Sequence, residues 1–332
     1  MWCTVLLHYD NGLTPGTRSR PHPMSERIKI TDTLTEWRYT LKAANASAHT
    51  ITGYQTSVNQ LVKFLEAQGM STIASEVKTR HLRSFLAYLY EQGKESTTVL
   101  TRWAGLRAYF NFAVEIEVCD TNPMHGVARP TITQKVIPEV KKDDIKALLA
   151  SCDRKTFRGA RDYAIMRLLM CGMRRGEIAG LKMDSVNIDG EYPTVTVHGK
   201  GAKERRVALG PRDVLALTAY LRARRAFLNG RKNGHRALQT DHLFVSRYGT
   251  FTGAGMEQML TSKCEALGIK GANAHAWRHT WAGEWKAAGG SDEGLMAQGG
   301  WSTNREIRRY TAHNRERSSI AEAQRLSITS DL

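Results

Sequence analysis

The chain has 332 residues, 41% hydrophobic and 24% charged, which is enough for two domains that each bury a core and excludes a disordered or fibrous polymer. Its 48 Lys+Arg against 32 Asp+Glu leave a formal charge of +16, an excess that repels itself in a compact fold and calls for a polyanionic partner. No apolar run approaches the length of a membrane-spanning helix, so nucleic acid, whose phosphates release counterions on contact, ranks ahead of a membrane surface.

Residues 1–30 read as an unstructured or short N-terminal arm, with Met1 and Met24 as alternative starts. The start has no basic n-region and too short an apolar run for a signal peptide. A helical domain is expected over 31–125. A weak helix over Leu34–Ala44 is followed by one capped at Thr50, with Tyr54, Val58, Leu61, Val62 and Leu65 on one face and Gly69 as its stop. A second strong helix follows a cap at Thr79, carries Leu82, Phe85, Leu86 and Leu89 inward and stops at Gly93; a third runs from Ser96 through Phe112. Arg80, Arg83, Arg102 and Arg107 fall on outward positions, which suits either a solvated basic face or a DNA-facing one.

Three prolines and a glycine without periodicity over 122–140 mark a boundary, with the linker at 126–138 and a second domain over 139–332. Here a dense apolar helix over Ala160–Cys171 stops at Gly172. The run PTVTVHGKGAKERRVAL, residues 193–209, reads as a β-hairpin with a glycine-bearing turn. Helices are expected over 211–228, 254–267, 276–288, 303–311 and 315–326, with a basic solvent-facing loop from Arg222 to Arg236. The fold class is therefore mainly α with a small β-sheet. The five scattered cysteines form no CxxC or zinc spacing and read as reduced thiols of a cytoplasmic protein; the acidic residues are not grouped as a two-metal nuclease requires.

Four stretches of the second domain carry candidate chemistry. In CGMRRGEI, Arg174 stands at a helix start with Glu177 three residues on, an oxyanion clamp or else a surface ion pair. In HGKGAKERR, Lys200 lies between glycines at the hairpin tip, where backbone can approach a ligand. In HAWRHT, His275 and Arg278 share a helix face, while His279 suits packing or support of the site residues and Trp277, Trp281 and Trp285 form a core stripe. In GGWSTNREIRRYTAH, Tyr310 follows Trp301 by nine residues. Each has an ordinary structural explanation alone. Together they match tyrosine attack on a phosphodiester without metal: a nucleophile, donors for the phosphorane and an acid for the leaving alkoxide.

These motifs, G-M-R-x-x-E at Gly172–Glu177, G-K-G-x-K at Gly199–Lys203, H-x-x-R at His275–Arg278 and the tyrosine nine residues after Trp301, resemble those of the tyrosine recombinases of the phage integrase family. The resemblance covers about residues 30–328. It implies a helical, SAM-like core-binding domain and a mixed α/β catalytic domain closing on DNA as a C-shaped clamp. It implies Tyr310 as nucleophile, Arg174 and Arg278 on the phosphate oxygens, Lys200 as general acid, and His275 as proton acceptor or phosphate donor. It implies that Glu177 supports the site without acting chemically. Trp301 departs from the histidine most members place there; its indole can donate a hydrogen bond but cannot shuttle a proton. Arg80, Arg83, Arg102, Arg107, Lys203, Arg205 and Arg308 are the expected DNA contacts.

The resemblance further implies double-stranded DNA with inverted core half-sites as partner, a homotetramer on that DNA, a possible directionality factor, no cofactor or metal, and action in a bacterial cytoplasm. It points to integration or excision of phage or mobile-element DNA. A resolvase or invertase, a type IB topoisomerase-like enzyme and a non-catalytic DNA-binding regulator stay open as alternatives.

Overall fold

A computed structural model of the chain describes residues 27–132, 139–199, 204–230, 240–303, 307 and 315–326. They fall into two compact units, one reaching 132 and one starting at 139.

The first unit holds helices α1 (Leu34–Ala43), α2 (Ala48–Ala67), α3 (Thr79–Glu91) and α4 (Ser96–Glu115). Trp37, Leu61, Leu65, Leu82, Leu106 and Phe110 are almost fully buried in its core. Two caps differ from expectation. Ser47, not Thr50, caps α2: the Thr50 N–H donates to Ser47 Oγ at 3.1 Å. Thr79 is the first helical residue of α3 rather than its cap, and its hydroxyl donates to the Pro123 carbonyl at 2.8 Å. Gly69 and Gly93 follow their helices with φ of +62° and +69°, the left-handed turn that glycine adopts most cheaply.

In the second unit α5 (Lys142–Ala150) precedes α6 (Phe157–Met170), which is nearly buried throughout and packs on α8 (Pro211–Asn229) and α10 (Ala274–Ala287). Thr156 caps α6 by accepting from the Gly159 N–H at 3.0 Å. Between α6 and α8 lie α7 (Arg175–Gly180) and an antiparallel sheet of β1 (Val186–Asn187), β2 (Thr194–His198) and β3 (Glu204–Ala208). Val195 pairs with Val207 across the hairpin. A small hairpin of β4 (Val245–Ser246) and β5 (Gly249–Thr250) leads to α9 (Gly253–Leu267), which packs on α7. After α10 come α11 (Asp292–Gly299), docked on β3, and α12 (Arg315–Leu326).

Strands β1, β4 and β5 and helix α11 were not expected from the sequence. Two-residue strands show no alternation, and α11, with glycines at 294 and 299, looks like a loop. The helix expected over 211–228 is α8, and the overlapping loop expected from Arg222 does not begin before Asn229, because RARRAFL is rich in helix formers; residues 231–239 lie outside the described region. Of the helix expected over 303–311, only Thr303 and Ile307 are described. Among the described residues no helix is long and apolar enough to cross a membrane, and no cluster of three or more His, Cys, Asp or Glu could hold a metal. Cys119, Cys152 and Cys264 are buried and Cys171 nearly so.

Candidate active site

The site is assembled from the three places where the chain changes direction after a helix or enters one. Gly172 ends α6 with φ +75°, and a Cβ there would lie 2.3 Å from the Trp281 ring, so backbone and packing both require glycine. Two residues on, Arg174 takes the N-cap position of α7. Its N–H donates to Glu177 Oε2 at 2.7 Å, an acidic residue three positions in serving the orphan amide. Arg174 Nη1 donates to Glu177 Oε1 at 2.8 Å and Nη2 to the Gly300 carbonyl at 3.1 Å. The Arg174 side chain remains 41% exposed, whereas that of Glu177 is 8% exposed.

A second arginine holds the same carboxylate. From β3, Arg205 donates through Nη1 to Glu177 Oε1 at 2.9 Å and through Nη2 to Oε2 at 2.8 Å, and its Nε donates to the Gln298 carbonyl at 2.9 Å. Burial alone pushes the Glu177 carboxyl up, but the Arg205 guanidinium and the Arg174 N–H and guanidinium outweigh it and hold it at about 2. Glu177 is thus an anion at every physiological pH.

Asn273 caps α10, its Oδ1 accepting from the N–H of His275 at 3.1 Å and of Ala276 at 3.0 Å. This fixes the first turn, on which His275 is exposed and Arg278 is 1% exposed. Arg278 Nη1 donates to the Gly172 carbonyl and Nη2 to the Gly299 carbonyl. Its guanidinium carbon lies 4.2 Å from the centroid of the Trp301 ring, a cation–π contact. Trp301 is buried, tilted against Trp281 at 5.8 Å, in a cluster with Ala282, Leu295 and Ile307. The tryptophan stripe of α10 is therefore divided: Trp277 lies in the large core, while Trp281 and Trp285 pack with Trp301. One turn after His275, buried His279 places its Nε2 3.4 Å from His275 Nε2, the rings edge to face at 4.8 Å.

The structure thus gathers Arg174, Glu177, Arg278 and Trp301 around the carbonyls of Gly172, Gly299 and Gly300, with His275 on the same helix as Arg278. Arg174 and Arg205 bind the one carboxylate and Arg278 binds glycine carbonyls beside it, so the cluster of three guanidiniums and one carboxylate is net positive, a setting in which fixed donors can hold a phosphate. Lys200, Lys203, Arg308 and Tyr310 lie outside the described residues. In the first unit Arg80, Arg83 and Arg107 are exposed, Arg83 donating to the Gly126 carbonyl at 2.6 Å, while Arg102 is half-buried against Gln60 Oε1 at 2.7 Å.

Arg205 is a correction. Expected among the DNA contacts, its side chain is only 11% exposed and pairs with Glu177. The signal was present: in ERRVA the strand period puts Arg205 on the face of Val207, which is buried, and Arg206 on the exposed face with Glu204 and Ala208. Gln298 and the glycine carbonyls were not foreseen as parts of the site.

Known proteins show the family. The "Phage integrase family" sequence model matches residues 138–317, and the "Phage integrase, N-terminal SAM-like domain" model matches residues 34–116. The chain belongs to the phage integrase family of tyrosine recombinases, enzymes that break and rejoin DNA strands site-specifically. Tyrosine recombinase XerC of Bacillus pumilus (strain SAFR-032) is 31% identical over 241 residues, 72% of this chain and 77% of that protein. In fold, the chain resembles the XerH site-specific recombinase bound to palindromic difH substrate in a post-cleavage complex. There the TM-score is 0.67 at 18% identity, covering 89% of this chain and 84% of that one. It also resembles a lambda integrase tetramer bound to a Holliday junction, with a TM-score of 0.62 at 13% identity, covering 83% and 78%.

Proposed function

We infer that this recombinase cuts a defined DNA site with Tyr310 as nucleophile. The Tyr310 phenolate oxygen attacks the scissile phosphorus, the bond from phosphorus to the 5′-oxygen breaks, and a 3′-phosphotyrosyl link and a 5′-hydroxyl result. His275 accepts the phenol proton or hydrogen-bonds the phosphate, and Lys200 supplies the proton that the leaving 5′-oxygen takes up. Arg174 and Arg278 hold the non-bridging oxygens as charge gathers on them. Attack by a second 5′-hydroxyl reverses each step and joins the new strands. The single observation that carries this reading is the convergence of Arg174 and Arg278, 104 residues apart in sequence, on neighbouring glycine carbonyls in a net-positive cluster.

The proposed substrate is double-stranded DNA with inverted core half-sites, bound by four copies and belonging to a phage or mobile element, with a directionality factor as a proposed further partner. Arg80, Arg83, Arg102, Arg107, Lys203 and Arg308 are the proposed phosphate contacts. Exposed Ile320 and Leu326 on α12 support docking of that helix on a neighbouring copy. The likeness to XerC supports a second reading, a resolvase acting on a host-chromosome site.

The test uses nicked suicide duplexes tiled from DNA flanking the gene and from the host chromosome, incubated in EDTA with wild type and Tyr310→Phe. A protein–DNA band on a denaturing gel in wild type alone is expected. Tiles from the element support the first substrate and chromosomal tiles the second. An equal band from Tyr310→Phe would refute the assignment of the nucleophile.

A further inference from the structure

Arg205 stands where three motif-bearing segments meet. It lies on β3, five residues after Lys200 in sequence; it bridges both oxygens of Glu177 beside Arg174; and its Nε holds the Gln298 carbonyl, just before the Gly299–Gly300 turn that leads to Trp301. The fit at that turn is close: Gly300 has φ +63°, and a Cβ on it would lie 2.9 Å from Arg205 Nη1. With 11% of its side chain exposed, Arg205 offers little surface to DNA.

The charge arithmetic gives this arrangement a chemical meaning. Glu177 carries one negative charge, and both of its oxygens are engaged by the Arg205 fork. Arg205 and Glu177 together are neutral, so the positive charge of Arg174 is left uncancelled for a phosphate, and its side chain is the one that stays 41% exposed. Without Arg205, Glu177 would be balanced by Arg174 alone, and the pair beside the scissile phosphate would be neutral. Glu177 would still orient Arg174, but at the expense of its field.

We propose that Arg205 is a positioning residue of the cleavage reaction: by neutralising Glu177 and tying β3 to the Gly299–Gly300 turn, it lets Glu177 orient Arg174 without cancelling its charge toward the phosphate. This rests on the reading of Arg174 as a phosphate clamp.

The experiment is single-turnover cleavage of the nicked duplex at saturating enzyme, with either a phosphodiester or a neutral methylphosphonate at the scissile position. Rates of wild type, Arg205→Met, Arg205→Lys and Arg174→Ala are compared on each substrate. On phosphodiester, Arg205→Met is expected to cleave about 100-fold more slowly than wild type, the scale of losing one transition-state donor. On methylphosphonate, which is neutral before attack and carries one negative charge fewer in the phosphorane, it is expected to come within a few-fold of wild type. Arg205→Lys keeps the charge but cannot bridge both oxygens. It is expected to lose less and show the same rescue, and it carries the test if Arg205→Met does not fold.

Wild-type rates on phosphodiester, or equal losses on both substrates, would overturn the proposal; so would weaker DNA binding with a shallower salt dependence, the mark of a direct phosphate contact. Arg174→Ala separates the two levels. If it cleaves like wild type, the clamp reading falls and this inference with it; if it is inactive while Arg205→Met is unimpaired, only this inference falls.

Discussion

Glu177 links acidity to folding at this site. Its folded carboxyl titrates at about 2 against an ordinary 4.5, so its stabilising contribution is complete above about pH 5 and is lost as pH falls through 2. The difference corresponds to about 3 kcal/mol at neutral pH. Glu177→Gln is therefore expected to lose about 3 kcal/mol in urea unfolding at pH 7, and the gap from wild type should shrink to roughly half at pH 3. A gap of equal size at both pH values would show that the loss is steric rather than electrostatic. Two glycines give a second comparison at this scale. Gly172→Ala meets Trp281 at 2.3 Å with φ at +75° and is expected to cost about 3 kcal/mol or more, whereas Gly176, where an added Cβ would meet nothing within 4 Å, should tolerate alanine or gain up to about 1 kcal/mol. Thermal unfolding of the two variants checks the contrast, which fails if they shift alike. The pairing of Arg174 with Glu177 at a helix start and the place of Arg278 near the start of α10 were legible in the sequence. The second grip on Glu177 was not, because an arginine in a basic hairpin invites assignment to solvent and only the alternation along β3 points inward.

At the scale of elements, helix termini do most to place the chemistry. Asn273 holds two amides of the α10 first turn, and His275 sits on that turn. Asn273→Ala is expected to cost about 1 kcal/mol of stability and to slow cleavage as well, whereas Ser47→Ala, which uncaps α2 in the other unit, should cost a similar amount of stability without touching the cleavage step. Urea unfolding alongside single-turnover cleavage at saturating enzyme separates them; equal slowing by both variants would undo the distinction. The long helices α2, α3 and α4 were legible because their apolar residues recur at the helical period over several turns. The caps of α2 and α3 were misplaced by a residue or more, since in α2, for example, Ser47 and Thr50 are both good caps and only the backbone decides between them. Strands of two residues and the glycine-bearing α11 carry too few side chains for any period to show. They form because neighbours supply partners: Gln298 Oε1, for example, accepts from the Ala208 N–H at 2.9 Å and seats α11 on β3.

For the whole molecule, the +16 charge makes the affinity for DNA a property of the salt as much as of the sequence. Binding to a duplex is expected to weaken on the order of 10³-fold between 50 and 200 mM salt, as for proteins making several phosphate contacts, and a titration that stays flat would remove the polyanion argument. Fold class and family were readable from the chain because two kinds of pattern agree, helical periodicity in the first unit and motif spacing in the second. The inward turn of Arg205 and the division of the tryptophan stripe depend on packing between distant segments, and no local pattern encodes them. The buried cysteines carry a practical consequence. Burial pushes the thiols of Cys119, Cys152, Cys171 and Cys264 upward, Cys119 to about 11, so at neutral pH they remain protonated and poorly reactive toward maleimides or peroxide. With Cys3 replaced, a cysteine placed at exposed Tyr248 would be the preferred target for a fluorophore, and strand exchange could be followed by energy transfer without removing these four native thiols.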